Sequence, residues 1–201
     1  MLFWNMCAYR PRPLIARTVE WISPQTMVLR DVDNPRYASG KQLGVDVLTA
    51  IKFCTGFTHM EWYLKDNGEA VFGQIGARPP GAHTVDIMSW ASDVDLFLGM
   101  GDAEVKGTFI QTLERKYNCA CLTKRAQGLG IIRRIDGVEK VRRALSDQLV
   151  AVNLLNVGDH RRDWKPTLLG DEWVVVIDPD VQACMDASDY VGQAIQMYAM
   201  P

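Results

Sequence analysis

Two oxygen-bearing side chains, Glu61 and Gln74, flank an Asn67-Gly68 dipeptide. Asn-Gly between two runs of alternating polar and apolar residues, 56–65 and 69–77, is a strong hairpin signal. With Asn67 and Gly68 central in a type I′ turn, Glu61 falls directly opposite Gln74. Directly opposed residues have Cβ atoms about 4.5–5.5 Å apart, so both oxygens could meet on one hard cation such as Mg²⁺. The same spacing equally describes a polar pair on the wet face of a hairpin. The register sorts the remaining side chains: Met60, Trp62, Leu64, Val71 and Ile75 on a core face, and His59, Glu61, Tyr63, Phe72, Gln74 and Gly76 on the other. His59 therefore shares the face of Glu61. Trp62 is expected to be buried while Glu61 opens outward.

The string itself is more specific than the spacing. It reads Gly56-Phe57-Thr58-His59-Met60-Glu61-Trp62-Tyr63, a hairpin, then Gly73-Gln74-Ile75-Gly76-Ala77-Arg78-Pro79-Pro80-Gly81. This resembles the metal-binding segment of ATP-grasp carboxylate–amine ligases, roughly G-x-x-H-x-E-x-x, a hairpin, then E-I-N-x-R-P-x-G. The match is specific over residues 56–81, weakens to about Thr108, and beyond that rests on general architecture.

The resemblance implies ATP and Mg²⁺ (or Mn²⁺) as cofactors, with Glu61 and Gln74 as metal ligands. It implies that His59, Glu61 and Arg78 contact the nucleotide or substrate, and that Arg78 is catalytic, steadying the transferred phosphoryl group or the acyl phosphate. Such a division of labour suits phosphoryl transfer, where metals and guanidinium groups offset charge spread over phosphate oxygens. Pro79, Pro80 and Gly81 would shape the loop that holds Arg78. Two positions depart from the pattern: Gln74 stands where the family usually has a glutamate, and Gly76 where it often has a metal-binding asparagine. The site thereby loses a full negative charge and one ligand, which weakens a hard-cation site held by charge count.

The elements that must position these groups are legible as periodicity. Apolar residues return at helical intervals over 37–53, with Leu43, Val47, Leu48 and Ile51 on one stripe. After the hairpin the pattern is helical over 85–90 and 94–105. The stretch 7–33, with Pro11, Pro13 and Pro24, reads as a first strand, an extended connection and a short strand at Met27-Val28-Leu29. Further on we expect strands over 118–123, 131–135, 149–155 and 172–177, a turn at Gln127-Gly128, and helices over 138–145 and 181–198. The expected fold class is α+β: the late part of an ATP-grasp domain, antiparallel sheet with helices, over residues 1–112, then a small α+β accessory domain over 113–201.

Composition narrows the alternatives. The chain has 201 residues, 48% hydrophobic and 23% charged, with a net charge of −2, so neither disorder nor a globally basic surface is indicated. Five cysteines, Cys7, Cys54, Cys119, Cys121 and Cys184, include no C-x-x-C pair and no nearby histidine at zinc spacing. A reduced, cytoplasmic setting is expected, with Cys119 and Cys121 packed on one face of a strand. The apolar opening of residues 1–7 lacks the layout of a signal peptide, and no apolar run reaches the ~20 residues needed to span a bilayer. That opening reads as a core strand with no preceding turn, as if an upstream domain were missing.

Nine basic residues between Arg115 and Arg143 face only Asp136 and Glu139, a local balance of +7. Without interleaved aromatics this reads as a solvated face, or one pairing with the acidic 93–104 helix, more than a nucleic-acid surface. No phosphate-loop or dinucleotide fingerprint is present, and no serine or cysteine has the context of a nucleophile. The Met185–Met200 methionines read as packing of a terminal helix, and His83 and His160 have no partner spacing.

The implied reaction is ATP-dependent joining of a small-molecule carboxylate to an amine or other nucleophile through an acyl phosphate. Only 55 residues precede Gly56, too few for the elements that bind adenine in this family. The expectations are a ligase fragment, a shortened relative completed by an upstream domain or partner chain, or a non-catalytic ATP-grasp-derived binding module. Neither membrane nor nucleic acid is an expected partner.

Overall fold

The computed structural model describes residues 3–166 and 170–201. Met1 and Leu2 of the apolar opening lie outside the described residues. In chain order the elements are β1 (Cys7–Arg10), α1 (Pro13–Thr18), β2 (Gln25–Val28), a 3-10 turn (Pro35–Tyr37), α2 (Ala38–Ala50), β3 (His59–Leu64) and β4 (Ala70–Gly76). Then follow α3 (Thr84–Ser92), α4 (Leu96–Lys106), β5 (Asn118–Thr123), β6 (Gln127–Gly128), β7 (Ile131–Asp136) and α5 (Val138–Ala144). The chain ends in β8 (Leu149–Leu154), β9 (Glu172–Asp178), α6 (Val181–Ala194) and β10 (Gln196–Met200).

These elements form two units. The first holds residues 3–6 and Asp31–Arg115, the second Cys7–Arg30 and Lys116–Pro201. The expected contiguous division into 1–112 and 113–201 is therefore corrected for residues 7–30. The cause is strand pairing: β2 lies antiparallel between β1 and β5, with Met27 opposite Ala120 and Val28 opposite Cys119. Met27 and Val28 are almost wholly buried there, so the strand that local reading attached to the first region completes the core of the second.

In the first unit the β3–β4 hairpin packs its core face against α2, and two glycines of α2 make the approach possible. A Cβ built on Gly40 would stand 2.3 Å from Cζ2 of the Trp62 indole, whereas one on Gly44 would meet Met60 Cε at 3.5 Å. Trp62 is half-buried rather than fully buried, with its indole lying over the bare backbone of Gly40. Asp95 caps α4 by accepting from the Leu98 N–H at 2.9 Å, and Gly107 ends that helix in the left-handed conformation.

The second unit is built on a five-stranded antiparallel sheet, β1-β2-β5-β9-β8, with α6 packed on β5 and β9. A smaller sheet, β6-β10-β7, encloses Ala126, Ile132, Met197 and Ala199. Two expectations change here. Pro13–Thr18 is a helix rather than an extended connection, with Pro13 in its first turn. The terminal helix stops at Ala194, and residues 196–200 instead pair antiparallel with β7. The alternating burial of β10, with Met197 and Ala199 inward, is a strand's period of two.

All five cysteines are free thiols, and Cys119, Cys121 and Cys184 are buried. Burial pushes the Cys7 and Cys184 thiols up to about 12 and raises Cys119 as well, so they act as packing groups rather than nucleophiles. Among the described residues no helix is long and apolar enough to cross a membrane.

Candidate functional site

The hairpin turn is not the two-residue I′ type. Lys65 N–H donates to the Glu69 carbonyl at 2.9 Å, Gly68 N–H to the Lys65 carbonyl at 2.9 Å, and Gly68 has φ +83°. This is a three-residue loop closed by a left-handed glycine, with Asn67 Oδ1 accepting from the Glu69 N–H at 3.0 Å. The pairs nearest the turn shift accordingly, to Trp62 opposite Phe72 and Tyr63 opposite Val71, while Val71 is partly buried and Phe72 exposed.

A second irregularity restores the register at the candidate site. Gly73 is left unpaired in a β-bulge, and beyond it Glu61 lies opposite Gln74, Met60 opposite Ile75 and His59 opposite Gly76. A Cβ at position 73 would stand 2.8 Å from the Glu61 carbonyl oxygen, so glycine is what lets the strands stay together at the bulge. Glu61 and Gln74 thus meet as expected, through a different path.

His59, Glu61, Gln74 and position 76 occupy one face, by opposition and by alternation along each strand. Gln74 Nε2 donates to Glu61 Oε2 at 2.8 Å. Arg78 lies beyond the strand end, its Nη1 donating to the Pro79 carbonyl at 2.8 Å. Its stem returns over Gly76: Cγ, Nε and Cδ lie 3.4, 3.6 and 4.0 Å from where a Cβ of residue 76 would stand. His59 is half-buried, and burial holds its imidazole below the usual histidine value, with the Glu61 charge opposing and the Arg78 charge adding to that shift. The imidazole is therefore predominantly neutral at pH 7.

The donor chemistry defines what this face can hold. Glu61 offers one carboxylate, and a half-turn of the Gln74 terminal amide would present its carbonyl oxygen in place of the nitrogen. One carboxylate and one neutral oxygen fit a single Mg²⁺ whose other ligands are phosphate oxygens and water. They do not make an all-protein cage: among the described residues no group of three or more His, Cys, Asp and Glu side chains is arranged to hold a metal.

The basic segment is only partly the expected solvated face. Arg133, Arg134, Arg142 and Arg143 are exposed, but Lys124 and Arg125 are buried. Arg125 donates from Nη1 to the carbonyls of Ala16 and Val19 at 2.9 and 3.0 Å, ending α1, and stacks 3.8 Å from the centre of the Trp164 ring. Lys124 Nζ donates to Ser23 Oγ at 2.9 Å and the Gly192 carbonyl at 2.8 Å. Both are tethers of the second unit. His83 Nδ1 lies 3.3 Å from Asp86 Oδ2 within the first turn of α3.

No protein-family profile matches the sequence, and a comparison with curated proteins finds no significant match. Solved structures do match. The L-amino acid ligase from Bacillus licheniformis superposes with a TM-score of 0.71 at 13% identity, over 88% of this chain and 44% of that one. Phosphoribosylglycinamide synthetase from Anaerococcus prevotii gives 0.68 at 13% identity, over 87% and 45%. N5-carboxyaminoimidazole ribonucleotide synthetase from Thermotoga maritima gives 0.63 at 14%, over 89% and 48%. The chain spans less than half the length of each of these proteins. The chain therefore shares the fold of part of each of these three proteins, a mixed helix and antiparallel-sheet fold of the class expected from the sequence.

Proposed function

We propose that this chain provides the late part of an ATP-grasp carboxylate–amine ligase, and that the β3–β4 hairpin is its metal- and phosphate-handling face. The observation that carries the reading is the convergence of Glu61, Gln74, His59 and Arg78 on one side of a hairpin in a chain with this fold. The reaction class is ATP-dependent joining of a carboxylate to an amine, with an acyl phosphate as the activated form and ADP and phosphate as by-products. Mg²⁺, held by Glu61 and the Gln74 amide oxygen, would supply charge neutralisation at phosphate oxygens.

The chain's own residues do the rest. The Arg78 guanidinium offers fixed donors to an anionic phosphoryl or acyl phosphate group, the placement that lowers such barriers most. His59, neutral and half-buried, offers one donor and one acceptor without adding charge to the face. Pro79 fixes the backbone after Arg78, and its carbonyl takes one of the guanidinium's hydrogens.

A second reading, a binding module of this fold that does not ligate, is favoured by the Gln74–Glu61 hydrogen bond, which closes the pair without any ion. Calorimetry with Mg²⁺ and inorganic tripolyphosphate separates the two, because this probe needs no adenine pocket. The ligase reading expects saturable binding in the wild type, weakened by roughly tenfold or more in Glu61→Gln. Binding that is absent, or indifferent to Glu61, supports the module instead.

A further inference from the structure

Lys124 is only 3% exposed, and no carboxylate pairs with it among the described residues. A buried ammonium without a counter-ion is costly, and proteins ordinarily avoid one. Its partners are both neutral, Ser23 Oγ at 2.9 Å and the Gly192 carbonyl at 2.8 Å. The charged groups on the elements around it bond elsewhere: Arg125 to the carbonyls of Ala16 and Val19, Asp171 to the N–H groups of Ala126 and Arg162, Glu172 to Arg162, Asp189 to Arg10, and Glu20 to Arg161. Burial alone lowers the Lys124 ammonium to about 8, so the free amine is well populated near that pH.

The backbone fixes this pair from two sides. Ser23, half-buried, lies in the connection from α1 to β2, where the Pro24 carbonyl accepts from the Thr123 N–H at 2.8 Å. Lys124 follows β5 directly, and its N–H donates to the Glu172 carbonyl at 2.9 Å. The 2.9 Å contact between the side chains serves both protonation states. The ammonium donates to Ser23 Oγ, whereas the free amine accepts the hydroxyl proton and still donates to Gly192. A hydroxyl, a base within hydrogen-bond reach and a third group that orients the base are the parts of an activated nucleophile. Ser23 and Lys124 are 101 positions apart, so no local motif announces them.

We propose that Ser23 and Lys124 form a nucleophile–base pair for acyl donors with an oxygen leaving group, a carboxylic ester or an acyl phosphate. The Ser23 oxygen attacks the acyl carbon while its proton passes to Lys124 Nζ. The bond from that carbon to the leaving oxygen then breaks, the oxygen keeping the electron pair and taking the proton from the ammonium. Water attacks the resulting acyl-serine with Lys124 again as base, and the Ser23 oxygen departs and recovers its proton. This chemistry is independent of the hairpin face.

The test is acylation of the full chain by p-nitrophenyl acetate and by acetyl phosphate, with the acetyl group located by peptide mass mapping. Ser146, an exposed serine bonded to Asp147, is the internal reference. We expect Ser23 to be acetylated at least roughly a hundredfold faster than Ser146 by one or both donors, with a rate that rises with pH and levels off above about 8. The advantage should vanish in Lys124→Met and in Lys124→Arg, whose guanidinium still donates but cannot serve as a base. Amide dispersion reports that each variant is folded, and the Ser146 comparison in wild type needs no variant. Ser23 reacting no faster than Ser146 with both donors, acetyl found on Lys124 instead, or a rate indifferent to pH or to Lys124 would overturn the pair. An acetyl-serine that forms as expected but is not released would uphold the pair and overturn the hydrolytic step.

Discussion

The indole of Trp62 lies against the bare backbone of Gly40, so close that a methyl group on Gly40 would stand 2.3 Å from Cζ2 and 2.4 Å from Cη2. Four residues along the same helix, a methyl group on Gly44 would meet only the flexible end of Met60, at 3.5 Å. The two glycines therefore predict opposite signs. Alanine is the better helix former by about 1 kcal/mol at both sites, but at Gly40 a rigid ring must move, an overpacking cost of about 1–3 kcal/mol. Gly40→Ala should lower stability by up to roughly 2 kcal/mol and Gly44→Ala should raise it by roughly 0.5–1 kcal/mol. Urea denaturation of both variants checks this, and equal shifts would mean that Trp62 does not pack there.

Lys124 gives a pH dependence with a definite sign. Burial lowers its ammonium to about 8, below the ordinary lysine value of about 10.4. Below pH 8 both folded and unfolded chains carry the proton. Between about 8 and 10.4 the unfolded chain binds more protons than the folded one, so this group makes stability rise with pH, by roughly 3 kcal/mol across the window. The slope should disappear in Lys124→Met. Denaturation curves at pH 7, 8.5 and 10, taken as the difference between wild type and variant, isolate this lysine from the tyrosines and thiols that titrate nearby.

The Glu61–Gln74 pair predicts a reversal. Gln74→Glu puts two carboxylates within ~5 Å, which repel without an ion and favour protonation of one of them. That variant should melt lower than wild type in the absence of metal and gain more from millimolar Mg²⁺. Glu61→Gln should gain almost nothing. Melting temperatures with and without Mg²⁺ for the three proteins decide it: identical shifts on adding metal would mean that neither residue is a ligand.

Much of this site could be read from residue types, and the parts that could not have physical reasons. Asn67-Gly68 between alternating runs located the hairpin, and the pairing of Glu61 with Gln74 followed, although the turn holds three residues instead of two. The compensating bulge has a local signal, a glycine inside a strand pattern at Gly73. The attachment of residues 7–30 to the second unit had none, because the partner of Met27 is Ala120, and no local periodicity reports a pairing at that separation. The burial of Lys124 and Arg125 was equally hidden: charged residues at strand ends are ordinarily solvated, and only the tertiary positions of Ala16, Val19 and Gly192 supply acceptors. The place of Arg78 over Gly76 depends on a side-chain direction that sequence does not carry.

The most direct test of the hairpin as a metal- and phosphate-handling face is paramagnetic broadening of backbone amide resonances by substoichiometric Mn²⁺ in the presence of inorganic tripolyphosphate. Line broadening falls steeply with distance from the ion, so it locates the site without relying on turnover. We expect the strongest losses at residues 59–62 and 73–76, with Arg78 next, and their disappearance in Glu61→Gln. Broadening centred instead on the acidic residues of α4, or a hairpin pattern that persists unchanged in Glu61→Gln, would contradict the assignment of this face.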